Sequence, residues 1–248
     1  MSLPDLCVDH AIAFNNAGVA AMGQGLLRRA WDLFKGALEL NLLCQVHHTN
    51  MEQSLDEAYS TNRYVKKAVE HLRSVAENSN DSEPEYGITI DPQRIACPFL
   101  LHLAGDCSDG HVFIPFIFAS PFSIPDSPDL RARPDFPRCI VATVVYNLAV
   151  MSHTSNRSSP QAVALYDLAT KLVDARGDHC GLLRLALINN VGVWRFENGS
   201  EDVARRCMRS VASSLTTNGQ VLCQSDVDNI YKNVRLILDP PMHISPAA

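Results

Sequence analysis

Two stretches of this chain, NNAGVAAMGQGLLRRAWDLFKGALEL from Asn15 to Leu40 and NNVGVWRFENGSEDVARRCMRSVASSL from Asn189 to Leu215, are variants of one pattern. Overlaid without gaps they pair Asn15 with Asn189, Asn16 with Asn190, Gly18 with Gly192, Val19 with Val193, Gly25 with Gly199 and Ala30 with Ala204. A third copy, VVYNLAVMSHTSNRSSPQAVALYDLATKLVD, follows with one extra residue in its turn and aligns Asn147, Ala149, Ala162, Tyr166 and Ala169. Each copy reads as an apolar-periodic helix, a turn rich in Gly, Ser, Asn or Pro, and a second helix with its own stripe.

Small residues recur where two helices must approach: Gly18, Ala149 and Gly192 on the first helix, and Ala30, Ala162 and Ala204 on the second. A bulky side chain there would hold the axes apart beyond the distance typical of packed helices. Between them lie fillers, Phe14, Val145 and Ile188 on the first helix and Phe34, Tyr166 and Met208 on the second. A single hairpin of this kind leaves its apolar stripe uncovered, so stacking on neighbouring hairpins is expected.

The series Gly18, Ala30, Phe34, Ala37, with Ala149, Ala162, Tyr166, Ala169 and Gly192, Ala204, Met208, Val211 as its counterparts, resembles the tetratricopeptide repeat. The Asn-Asn or Tyr-Asn doublet before a small residue looks most like the kinesin-light-chain type of that repeat. The resemblance covers about a third of the chain, and the copies are degenerate. Ala21, Ser152 and Arg195 stand where the repeat places an aromatic, and Leu42, Asp174 and Thr216 where it usually places the closing proline. An all-α fold of stacked antiparallel hairpins is therefore expected, with repeat units at 5–48, 139–175 and 180–216 and a capping helix at 225–238, whose apolar side is Val227, Ile230, Tyr231, Val234 and Ile237.

The first two units are separated by about a hundred residues. The stretch 50–78 places Leu55, Tyr59, Val65, Ala68, Leu72 and Val75 near one face and predicts a further helix. From 80 to 138 prolines are frequent, and runs such as YGITI, CPFLL and HVFIPFIFASPFSI favour extended backbone, so a small extended or β-rich insertion is expected. PDSPDLRARPDFP reads as a linker into the second unit. Cys97, His102, Cys107 and His111 offer two thiols and two imidazoles within fifteen residues, but no pair has the close spacing that opens a structural zinc site. They read as ordinary side chains, and no metal or cofactor is expected.

Composition narrows function by exclusion. Lys and Arg total 21 against 27 Asp and Glu, a net charge of -6 with no basic block to neutralise phosphates or anionic lipid. Nucleic acid and membrane are excluded as expected partners. The start of the chain lacks the pattern of a secretory signal and no segment is apolar over a membrane's thickness, so a cytoplasmic protein is expected, its eight cysteines reduced. No phosphate loop, nucleophile elbow, paired-carboxylate site or dinucleotide fingerprint occurs, and no catalytic residue is assigned. The adjacent His47 and His48 point to different faces of a helix.

An interaction module is the expected function, with a protein or peptide partner held in a helical groove; a structural subunit of a larger assembly, or less favourably a metal-binding protein, is the alternative. The resemblance implies that the first helices line the groove, which assigns Asn15, Val19 and Met22, then Tyr146, Val150 and His153, then Asn189, Val193 and Phe196 to it. Lysines of the carboxylate-clamp kind are missing from these positions. Asn16, Asn147 and Asn190 occupy one equivalent position in the three units. Such a row of amides can pair with the N–H and C=O groups of an extended partner, or can brace neighbouring parts of its own array.

Overall fold

The computed structural model describes residues 3–48, 117, 121–125, 127–133, 135–156, 158–174, 181–218 and 224–239. Among these residues the only regular secondary structure is helical, in agreement with an all-α protein. Its contacts divide the chain into two units. One contains α1 (Leu3–Gly23), α2 (Leu27–His48), α3 (Pro128–Arg131), α4 (Phe136–Ser155), α5 (Pro160–Asp174) and the segment 121–125; the other contains α6 (Gly181–Glu197), α7 (Glu201–Asn218) and α8 (Gln224–Leu238).

The repeated turn has a repeated geometry. α1 ends with the Leu26 N–H donating to the Ala21 carbonyl and the Gly25 N–H to the Met22 carbonyl, at 2.9 and 3.0 Å. α6 ends with the Ser200 N–H on the Arg195 carbonyl and the Gly199 N–H on the Phe196 carbonyl, at 2.7 and 3.1 Å. Both pairs of bonds satisfy carbonyls that a helix end leaves without an intrahelical partner, and both require a left-handed residue, met by Gly25 at φ 76° and Gly199 at φ 75°. The middle copy turns differently. Its extra residue lets Asn156 leave α4 with extended backbone and accept the Ser158 N–H on Oδ1, while the Ser152 and Ser159 hydroxyls meet at 3.1 Å.

Within each hairpin the small residues mark the close approach. Ala30, Ala149, Ala162 and Ala204 are all fully buried. A Cβ on Gly18 would come within 2.6 Å of the Phe34 ring, and one on Gly192 would collide with the Met208 methyl. The first unit stacks α4 on the α1–α2 hairpin, chiefly on α2, and α5 covers α4 from the other side. As a result α4 is buried all round from Ile140 to Met151. In the other unit α8 lies mainly on α7 and also meets α6, as a helix closing the third hairpin would.

Some expectations are revised. Phe14 does not fill the hairpin interior: it is 36% exposed, its ring lying over Gly36. Tyr231 is 40% exposed, so the apolar side of α8 reduces to Ile230, Val234 and Ile237 with Val227 half-buried. The linker before the second unit is partly helical, because Pro128 starts α3 with its fixed φ, and Arg131 on that helix ion-pairs with Asp9 of α1. No strand occurs among the described residues, so the β-rich character expected of the insertion is not seen there; Pro121–Pro125 lies outside any helix. The expected helix at 50–78, the cluster Cys97, His102, Cys107 and His111, and the side chains of His47 and His48 lie outside the described residues.

Candidate functional site

An asparagine buried in a helical core must spend both amide hydrogens and its oxygen on partners, or its desolvation is uncompensated. Asn15 and Asn147 are fully buried, and Asn16 is half-buried. Their partners are each other and the main chain of a segment more than a hundred residues beyond Asn15 and Asn16. Asn147 accepts the Phe122 N–H on Oδ1 at 2.8 Å and donates from Nδ2 to the Phe122 carbonyl at 3.0 Å. Asn16 does the same for Ile124, accepting its N–H at 2.8 Å and donating to its carbonyl at 2.9 Å. Asn15 bridges the two: it donates to Asn16 Oδ1 at 3.2 Å and to the Phe122 carbonyl at 3.1 Å, and accepts from Asn147 at 2.9 Å.

Two amides therefore read residues i and i+2 of one segment. That spacing is the two-residue alternation of an extended chain, in which Phe122 and Ile124 share a side and Ser123 points away. Burial agrees: Ile124 is buried at 5%, Phe122 is half-buried and Ser123 is exposed. The flanking Pro121 and Pro125 disfavour helix and have no N–H to offer.

An aromatic series continues from the segment into the second hairpin. The Phe122 ring sits 5.1 Å from Tyr146, Tyr146 sits 6.1 Å from Tyr166, and His153 meets Tyr166 edge-on at 5.7 Å. Beside that contact, His153 Nδ1 lies 3.3 Å from the Tyr166 hydroxyl. Tilted and edge-on pairs at these separations are the favourable arrangements for aromatic rings.

The unit of α6, α7 and α8 contains the same arrangement of amides. Asn189 donates to Asn190 Oδ1 at 3.1 Å, as Asn15 does to Asn16, and Asn233 of α8 donates to Asn189 Oδ1 at 2.9 Å, as Asn147 does to Asn15. Asn189, Asn190 and Asn233 are all fully buried. Asn233 follows Asn190 by 43 residues, as Asn190 follows Asn147.

The chain matches no protein-family model, no curated protein and no solved structure.

The residues assigned to the groove from sequence fall into two groups. Asn15, Asn16, Tyr146 and Asn147 are brought together around Phe122 and Ile124, and Asn189 with Asn190 around Asn233. Val150, Val193 and His153 are fully buried and Met22 nearly so, while Val19 and Phe196 are half-buried; these positions serve the interior more than an open groove wall. Phe122, Ile124 and Asn233 were not legible as site residues. For Asn233 the one signal was its spacing, 43 residues after Asn190 as Asn190 is after Asn147. Among the described residues no group of three His, Cys, Asp or Glu side chains could hold a metal ion. None of the described helices is long and apolar enough to cross a membrane.

Proposed function

We propose that this chain is a protein-interaction module of degenerate tetratricopeptide-like hairpins that grips extended polypeptide through paired asparagines and performs no catalysis. The observation that carries this reading is the two-point pairing of Asn16 and Asn147 with the main chain of Ile124 and Phe122. An amide that meets both N–H and C=O of one residue is indifferent to that residue's side chain, so the row supplies general affinity and neighbouring rings supply selection. The acidic balance and the absence of basic blocks favour a protein partner met in the cytoplasm over nucleic acid or lipid.

A peptide-display selection on the full chain tests the proposal. Recurrent extended sequences are expected, and their capture should fall when Asn190 and Asn233 or Asn16 and Asn147 are changed to alanine in variants that still melt cooperatively. A selection that returns no recurrent sequence rejects the module in favour of a structural subunit, whose expected signature is a stable oligomer.

A further inference from the structure

We propose that the groove formed by α1 and α4 is occupied by a ligand built into the chain, and that the segment Pro121–Pro125 both competes with an outside partner and displays the pattern that partner must have. This rests on the module reading above and adds the chemistry and regulation of one site.

The pattern follows from the contacts. Asn147 and Asn16 each use an N–H of the bound segment, so residues i and i+2 must both carry one and neither can be proline. Residue i lies against Tyr146, as Phe122 does at 5.1 Å, which selects an aromatic. The i+2 side chain is buried, as Ile124 is at 5%, which selects a branched aliphatic. Residue i+1 is exposed, as Ser123 is, and is left unrestricted. The partner class is an extended aromatic-x-aliphatic segment, favoured where flanking prolines already hold the chain out of helix.

Regulation follows from tethering. Five hydrogen bonds hold the main chain of the segment's two residues to Asn15, Asn16 and Asn147, a sixth ties Asn147 to Asn15, and α3 is the only described helix between the segment and α4. A short tether presents its ligand at an effective concentration on the order of millimolar. An outside segment of equal intrinsic affinity is therefore suppressed until it is abundant, multivalent, or the tethered copy is weakened.

The test uses a fluorescent peptide of residues 119–127, ASPFSIPDS, titrated by anisotropy into the full-length chain. Two opened variants are compared with wild type: Phe122→Gly with Ile124→Gly, which removes both anchors, and Ile124→Pro, which removes one clasped N–H. Circular dichroism and melting confirm that at least one is folded. The opened chain should bind the peptide roughly ten-fold or more tightly than wild type, and Asn16→Ala added to it should abolish the gain. A peptide with proline in place of Phe122 should fail. Equal binding to wild type and opened chain would overturn the proposal, because the groove would then not be self-occupied. So would no binding to a folded opened chain, because the segment would then be fixed scaffold. Binding here combined with a display selection that returns no recurrent sequence would reject outside partners while leaving the built-in ligand standing.

Discussion

Asn16 closes on Ile124 from both sides of one peptide residue, accepting its N–H at 2.8 Å and donating to its carbonyl at 2.9 Å. The contact has the two-bond form of a hydrogen-bonded pair in an antiparallel ladder, with a helix side chain replacing one strand. It joins residues 108 apart in sequence, and it satisfies the amide and the peptide group together.

Asn147→Ala and Asn233→Ala should each lower stability by about 1 to 3 kcal/mol, because each takes a buried hydrogen bond away from a fully buried amide, Asn15 or Asn189. Denaturant midpoints at unchanged slope measure this. Midpoints equal to wild type for both would show that the amide triads are not load on the fold.

The two interior glycines should differ in tolerance. Gly18→Ala places a methyl 2.6 Å from a carbon of the fully buried Phe34 ring, whereas at Gly192 the nearest obstacle is the end of the flexible Met208 side chain, with Cys207 Cβ next at 3.0 Å. Overpacking costs about 1 to 3 kcal/mol, and Gly18→Ala should fall at the upper end with Gly192→Ala below it. The reverse order in thermal melts would contradict the packing described.

Ala30→Leu and Ala204→Leu each introduce three carbons at a fully buried helix crossing, and each should cost about 1 to 3 kcal/mol. Unchanged melting for both would mean that these positions do not set the interhelical distance.

Gly199→Ala tests the turn alone, since a Cβ there meets nothing within 4 Å while φ stands at 75°. The cost should be about 1 kcal/mol from left-handed backbone strain, and Gly199→Asn should cost less because Asn tolerates that region better. A melting temperature that is equal for Gly, Asn and Ala would count against the left-handed cap.

The helical hairpins were legible because their causes are local. Apolar period, the small residues Gly18, Ala30, Gly192 and Ala204, and the turn glycines Gly25 and Gly199 act between residues close in sequence or directly across one hairpin. The equivalence of Asn16, Asn147 and Asn190 was legible for the same reason. Asn233 escaped because Arg235 stands where the other copies carry Gly18, Ala149 and Gly192, so the residues around it do not look like the repeat. Its place is set by the 2.9 Å bond to Asn189, a contact across the stack and not along the chain.

What the asparagines hold was a tertiary decision. From sequence, a row of amides suits an outside peptide and an internal brace equally well, since both present the same N–H and C=O groups. The structure selects the chain's own Phe122 and Ile124 for Asn147 and Asn16. Hydrogen-bonding capacity is a property of the residue and can be read one letter at a time. Which peptide group fills it depends on where a proline-flanked segment lies after the hairpins have stacked, and that is settled only by the long-range contacts of the folded chain.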